Sequence, residues 1–244
     1  MKKLIVALLS VSSMIFLCAC GGSASGGKLV MATNAAFPPY EMVEGNEIVG
    51  IDAEIAKLIA DDLGKELVIE DMAFDSIIAA VQTGKADIAM AGLTITEDRK
   101  QNINFSDPYT EAAQVIVVKN DSTVASPDDL VGKTIGVQIG TTGDIYAEDI
   151  ADATIERYSK YFEAINALTQ GKIDAVIVDR EPGKVFVSDS EDLKMIDEEF
   201  TLEEYAIGVA KENTELLDQI NASLKKLQES GQIDAIINKY IKAD

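Results

Sequence analysis

Arg99 ends the run Thr94-Ile95-Thr96-Glu97-Asp98-Arg99, directly after an apolar stretch that begins at Ile88. Its planar guanidinium presents paired N–H donors, which grip a carboxylate in two places where a lysine offers a point charge. Taken alone, an arginine behind two acidic residues reads equally as a solvated partner of Glu97 or Asp98. A second candidate is Gly140-Thr141-Thr142-Gly143-Asp144, which follows the strand-like run 134–139 and precedes a helical stretch. A loop so placed offers free backbone amides to an anion, although the same residues also make a turn with hydroxyl N-caps. The chain has no histidine, and its two cysteines stand at positions 18 and 20. Imidazole acid–base chemistry and His/Cys metal ligation therefore lack their residues, and no nucleophile elbow is present. No catalytic residue, metal or cofactor is expected.

The elements that must hold these side chains alternate along the chain. Short β-rich runs such as 29–32, 67–69 and 88–90 are separated by amphipathic stretches such as 51–63, which predicts βα units, mainly parallel sheets and helices on both faces. Two segments 87 positions apart repeat one design: residues 78–92, with Gly84-Lys85-Ala86-Asp87, and residues 165–179, with Gly171-Lys172-Ile173-Asp174. Each reads as a helix, a glycine C-cap and a buried strand, so two lobes of like architecture are expected. Ligands of open α/β sheets sit beyond the carboxyl ends of strands, which puts Gly92 and Asp179 at a cleft between the lobes. Gly231 to Asp234 repeats the Gly-x-x-Asp spacing without a following strand, so the short motif alone is weak. Two β-rich runs, 114–119 and 205–211, read as paired hinge strands. They divide the body into one lobe of residues 28–115 plus 210–244 and a second of 116–209; a continuous, tandem division is the alternative.

Residues 1–20 read as an export signal. A Met1-Lys2-Lys3 start and an apolar run too short to span a bilayer lead to Leu17-Cys18-Ala19-Cys20. That tetrad resembles the bacterial lipoprotein box, which implies lipidation of Cys20. The Gly/Ser-rich residues 21–27 then form a tether. A formal charge of −21 disfavours nucleic acid and anionic lipid as partners, so membrane contact is expected through the anchor alone.

Several segments together carry a resemblance: Ala36-Phe37-Pro38-Pro39-Tyr40, Gly50-Ile51-Asp52, Ala91-Gly92-Leu93-Thr94, Thr96-Glu97-Asp98-Arg99, Phe105-Ser106-Asp107-Pro108-Tyr109, Gly140-Thr141-Thr142-Gly143 and Asp179. In this order they resemble the family 3 solute-binding proteins, the polar amino-acid receptors of ABC importers. The resemblance implies a two-lobed periplasmic-binding-protein-like fold (type II), a free amino acid in the cleft, permease subunits as partners, a monomeric state, and an extracytoplasmic or periplasmic location. It places the ligand carboxylate on Arg99 and on Thr141 and Thr142. It places the ammonium on the Thr94 hydroxyl, the Gly92 carbonyl and Asp179, although Asp179 beside Arg180 also reads as a surface ion pair. Phe37, Tyr40 and Phe74 would wall the side chain, and Asn34, Asp52 and Gln138 would select it. Basic amino acids in this family often meet an acidic residue where Asn34 stands. The sequence therefore leans away from arginine and lysine, with Asp52 leaving them open. Asp52 reads equally as the N-cap of a helix from Ala53.

Two other functions share the fold. A cyclohexadienyl dehydratase-like enzyme would need an acidic or basic catalyst such as Asp52, Glu41 or Asp179. A sensory amino-acid receptor would need a separate signalling partner. Fold alone does not choose among them.

Overall fold

A computed structural model describes residues 27–196, 198 and 200–242. The expected export signal, Cys20 and residues 21–26 of the tether lie outside the described residues.

The first sheet has five strands in the spatial order Glu66–Asp71, Lys28–Thr33, Ile88–Ala89, Gly208–Ala210 and Ile103–Phe105. The first three run parallel, and Gly208–Ala210 runs antiparallel to both its neighbours. Alternate residues feed two apolar layers. Leu29, Met31, Ile88 and Met90 enter one, and Ala32, Ala89 and Ala91 enter the other. With both faces covered, the strands read as near-continuous apolar runs. The helix Ile51–Asp62 buries Ile51, Ile55 and Ile59 at helical spacing. The terminal helices Thr214–Glu229 and Gln232–Tyr240 pack on that helix and are clipped to it by Lys226 to Asp62 and Lys239 to Glu54.

The second sheet orders Thr154–Tyr158, Thr134–Gln138, Ala175–Asp179, Thr110–Lys119 and Leu193–Met195, with Thr201–Tyr205 paired beside the first half of Thr110–Lys119. Here too both faces are buried: Val115, Val117, Val176 and Val178 face one layer, while Ile116, Val118, Ala175 and Ile177 face the other. Each sheet is parallel where βα units build it and antiparallel where a strand arrives from the other sheet. The expectation of mainly parallel sheets is corrected to mixed ones.

The expected hinge pairing is also corrected. Residues 115–118 lie inside the second sheet, and the segment paired with Thr201–Tyr205 is residues 110–114. A four-residue valine and isoleucine run suits a sheet interior better than a connector. The chain changes sheets at residues 106–109 and returns at 206–207, so boundaries at 115 and 209 fall inside strands. The two crossings are bonded to each other: Ser106 N to Ile207 O (2.9 Å), Ile207 N to Ser106 Oγ (2.9 Å) and Tyr109 N to Tyr205 O (3.0 Å).

The internal echo has a structural counterpart. Asp87 Oδ2 accepts from Val30 N (2.8 Å) and Asp174 Oδ2 accepts from Thr134 N (2.8 Å). Asp87 N donates to Val30 O and Asp174 N to Thr134 O, both at 2.8 Å. In each sheet, the aspartate after the glycine C-cap clips the start of the neighbouring strand. Gln232–Tyr240, after Gly231, is helical and makes no such strand.

A candidate binding cleft between the sheets

The ends of Ile88–Ala89 and Ala175–Asp179 face a narrow cavity between the two sheets. On the first side, a small antiparallel sheet of Ala36–Phe37, Glu41–Glu44 and Glu47–Val49 leans over the start of the helix Ile51–Asp62. Pro39 and Tyr40 carbonyls accept from Ile51 N (3.1 Å) and Asp52 N (3.0 Å), so the hairpin itself caps the helix. Gly50 permits this contact, because a Cβ there would lie 2.2 Å from the Tyr40 carbonyl oxygen. Asp52 is therefore a first-turn residue of the helix and not its N-cap. Its carboxylate accepts from Gly92 N (2.8 Å) and from the Tyr109 hydroxyl (2.8 Å).

The same tuck buries Glu41, which is 1 % exposed and lines the cavity. Among the described residues no N–H or hydroxyl donor bonds its carboxyl oxygens, and the group it faces is the Asp52 carboxyl, with which it can share a proton. Burial first, and then the neighbouring Asp52 charge, hold the Glu41 carboxyl well above the usual carboxylate range. Burial also pushes Asp52 up to about 6, against the hydrogen bonds from Gly92 and Tyr109.

Arg99 is 6 % exposed. Thr96 caps its short helix Glu97–Asn102 by accepting from Arg99 N (3.1 Å). The guanidinium donates through Nη1 to Thr94 O (2.8 Å) and through Nη2 to Gly140 O (3.0 Å), and it lies 5.5 Å over the Phe74 ring centroid. Two of its five N–H groups are thus used on the backbone, and the fork remains able to take a carboxylate. The solvated pairing with Glu97 or Asp98 is not what the structure shows. Lys100 takes Glu97 instead.

From the second sheet come Gln138, Thr141, Thr142, Tyr161 and Asp179. Gln138 Nε2 donates across the cleft to Asn34 Oδ1 (2.9 Å), and Asn34 Nδ2 donates to Met72 O (2.7 Å). The Thr141 hydroxyl donates to Gln138 O (2.8 Å) and accepts from Asp144 N (3.3 Å), which makes it an N-cap. Asp179 is 5 % exposed and accepts from the Tyr205 hydroxyl. It is a buried group, so the surface ion-pair reading is corrected. Burial, with the Glu203 charge behind it, pushes the Asp179 carboxyl up to about 7.

Ten of the twelve expected contact residues line the cavity: Asn34, Phe37, Phe74, Gly92, Thr94, Arg99, Gln138, Thr141, Thr142 and Asp179. Tyr40 and Asp52 do not. Tyr40 stands behind Phe37 with ring centroids 5.8 Å apart, and Asp52 stands behind Gly92. Tyr161 was not foreseen, and Glu41 was named only as a catalyst for the alternative enzyme. The Tyr161 ring stacks on Phe37 at 5.8 Å, and its buried hydroxyl lies beside Thr141.

A planar cation, a buried carboxylate opposite it and aromatic walls between them make a container for a small zwitterion. The model of the bacterial extracellular solute-binding proteins, family 3, matches residues 29–243. This chain belongs to that family. The family 3 protein described here is 31 % identical to the arginine-binding extracellular protein ArtP of Bacillus subtilis (strain 168), with all of both chains covered. It is 32 % identical to the ABC transporter glutamine-binding protein GlnH of the same organism, covering 100 % of this chain and 99 % of the other. Among solved structures, an ancestral arginine-binding protein bound to arginine matches with a TM-score of 0.85 and 39 % identity, over 88 % of this chain and 98 % of that one. Such relatives are substrate-binding proteins of ABC transporters, and amino-acid binding is the role of this family 3 protein.

Proposed function

We propose that this protein captures a free L-amino acid with a cationic side chain, L-arginine first, and delivers it to the permease of an ABC importer. Glu41 carries this reading: a fully buried carboxyl on the cavity wall, which faces the Asp52 carboxyl and no N–H or hydroxyl donor among the described residues, is completed by a guanidinium. The wider charge balance supports it. Four carboxyl groups, Glu41, Asp52, Asp179 and Glu203, are buried in this region, an excess over the one buried guanidinium, Arg99, among the described residues. A net-positive ligand offsets that excess better than a neutral one. The acidic group that Asn34 does not supply is supplied by Glu41, seven positions on.

In this reading Arg99 takes the ligand carboxylate, with Thr141 and Thr142 beside it. Asp179, Thr94 and the Gly92 carbonyl take the ammonium. Phe37, Phe74 and Tyr161 flank the aliphatic stem. The names of the relatives point the same way, toward arginine in ArtP and in the ancestral protein. Glutamine is the second reading, favoured by GlnH and by the raised Glu41 carboxyl, which when protonated can donate to a side-chain amide. The protein acts as a monomeric receptor without turnover, held at the outer face of the membrane by lipid on Cys20.

Titration calorimetry with L-arginine, L-lysine, L-glutamine and L-histidine tests the reading. Arginine should bind tightest, and Glu41→Gln should weaken it by about 2 kcal/mol or more while narrowing its advantage over glutamine. Equal arginine and glutamine affinities in the wild type would refute the cationic subsite. Turnover of a prephenate-like acid would replace the receptor by an enzyme. Cys20→Ser should move the full chain out of the membrane fraction, and unchanged fractionation would count against the anchor.

A further inference from the structure

Glu203 does not line the cavity, yet it is buried, 7 % exposed, and bonds Thr94, which does. It projects from Thr201–Tyr205, the strand by which the chain returns to the first sheet. Its Oε2 accepts from Thr94 Oγ1 (2.8 Å) and from Gln114 Nε2 (3.2 Å), and the Tyr146 hydroxyl lies within reach of the same carboxylate. Gln114 Nε2 also reaches Thr142 Oγ1 (3.2 Å). The main chain around Thr94 is stitched to the same returning segment. Ile95 N donates to Glu204 O (3.0 Å), Ala206 N donates to Leu93 O (3.1 Å), and Thr94 forms a β-bridge with Tyr205.

These bonds decide the polarity of the Thr94 hydroxyl. A threonine hydroxyl has one proton and two lone pairs. With the proton directed at a buried carboxylate, the hydroxyl offers only lone pairs to the cavity. That suits an ammonium and rejects a carboxylate. The Glu203 charge also sits close enough to act on both Arg99 and Asp179.

We infer that Glu203 is a positioning residue, which fixes the Thr94 hydroxyl as an acceptor for the ligand's α-ammonium and ties that contact to the returning strand. The inference rests on the proposal that an amino acid fills the cleft. Glutamine at 203 can present an amide N–H to Thr94, whose own proton then turns toward the cavity and repels an ammonium.

The test is calorimetry on the full chain with two ligands, L-arginine and 5-guanidinopentanoic acid, which lacks only the α-amino group. Glu203→Gln should weaken arginine by about tenfold or more and the analogue by less than about threefold. Thr94→Val should give the same pattern, and the double variant should be no weaker than Thr94→Val alone. Equal losses for both ligands, additive losses in the double variant, or unchanged arginine affinity would each overturn the inference. Should Glu203→Gln fail to fold, Glu203→Asp withdraws the carboxylate from Thr94 and must show the same selective loss, an equal loss again being fatal. A wild type that binds neither ligand would sink the reading of the cleft itself, whereas one that binds arginine well and shows equal losses sinks only the role of Glu203.

Discussion

Arg99 and Glu41 are both buried ionisable groups, but they differ in what holds them before a ligand arrives. Arg99 rests on two carbonyls and an aromatic face, whereas Glu41 faces the Asp52 carboxyl and burial favours its protonated form. Arg99→Lys retains the charge and loses the fork, so arginine affinity should fall. Arg99→Ala should cost about 2–5 kcal/mol of binding in calorimetry, with a normal circular-dichroism spectrum. Proton and ligand cation compete for Glu41, so arginine affinity should fall as pH is lowered, and Glu41→Gln should flatten that dependence. Stability of the ligand-free protein should run the other way. Burial raises Asp52 from 3.8 to about 6 and Asp179 from 3.8 to about 7, so the folded state binds more protons than the unfolded one in that window. This contribution is fully present below the unfolded value and is lost as pH rises through the folded values. The melting temperature without ligand should therefore decline from about pH 4 to about pH 7. A rise over that range would show that other groups dominate.

Among the elements, the echoed helix–strand units owe their geometry to Asp87 and Asp174, each accepting an amide near the start of a neighbouring strand. The two bonds should not be equal in weight. Asp87 is half-buried, so Asp87→Ala leaves the Val30 amide poorly hydrated and should cost about 1 kcal/mol or more in denaturant unfolding. Asp174 is exposed, water can replace it, and Asp174→Ala should cost less. Neither carboxylate lines the cavity, so ligand affinity should be unchanged in both variants. Loss of binding without loss of stability would mean that the strand ends, and not only their starts, depend on these clips.

For the whole molecule, the bonds that cross the cleft are few and specific. Gln138 reaches Asn34, Arg99 reaches Gly140 O, and the Phe37 ring meets Tyr161. Covalent continuity between the sheets runs only through residues 106–109 and 206–207. This arrangement supports a hinge in which ligand draws the lobes together. Gly140 marks where they approach: its φ is +80°, and a Cβ there would lie 3.2 Å from Asp75 Cβ on the other side. Gly140→Val should weaken arginine binding and reduce the ligand-induced contraction seen by small-angle scattering. Identical scattering of the wild type with and without saturating arginine would argue for a rigid site.

What the sequence determined by itself was whatever local pattern encodes. The alternation of β-rich and helical runs, the Gly-x-x-Asp echo and the strand ends at Gly92 and Asp179 were legible because period and capping depend on near neighbours. Arg99 was legible as a candidate, and its place in the motif order made it specific. The tertiary structure decided which side chains face the cavity, because that depends on packing between segments far apart in the chain. Glu41 begins the strand Glu41–Glu44, whose other side chains are half-buried or exposed. It is buried only because Gly50 lets Pro39 and Tyr40 cap the helix at Ile51. Asp52, which looked like a cap or a contact, was drawn behind the wall by Gly92 and Tyr109, 40 and 57 positions away. Glu203 meets Thr94 across 109 residues, a distance over which no periodicity carries information.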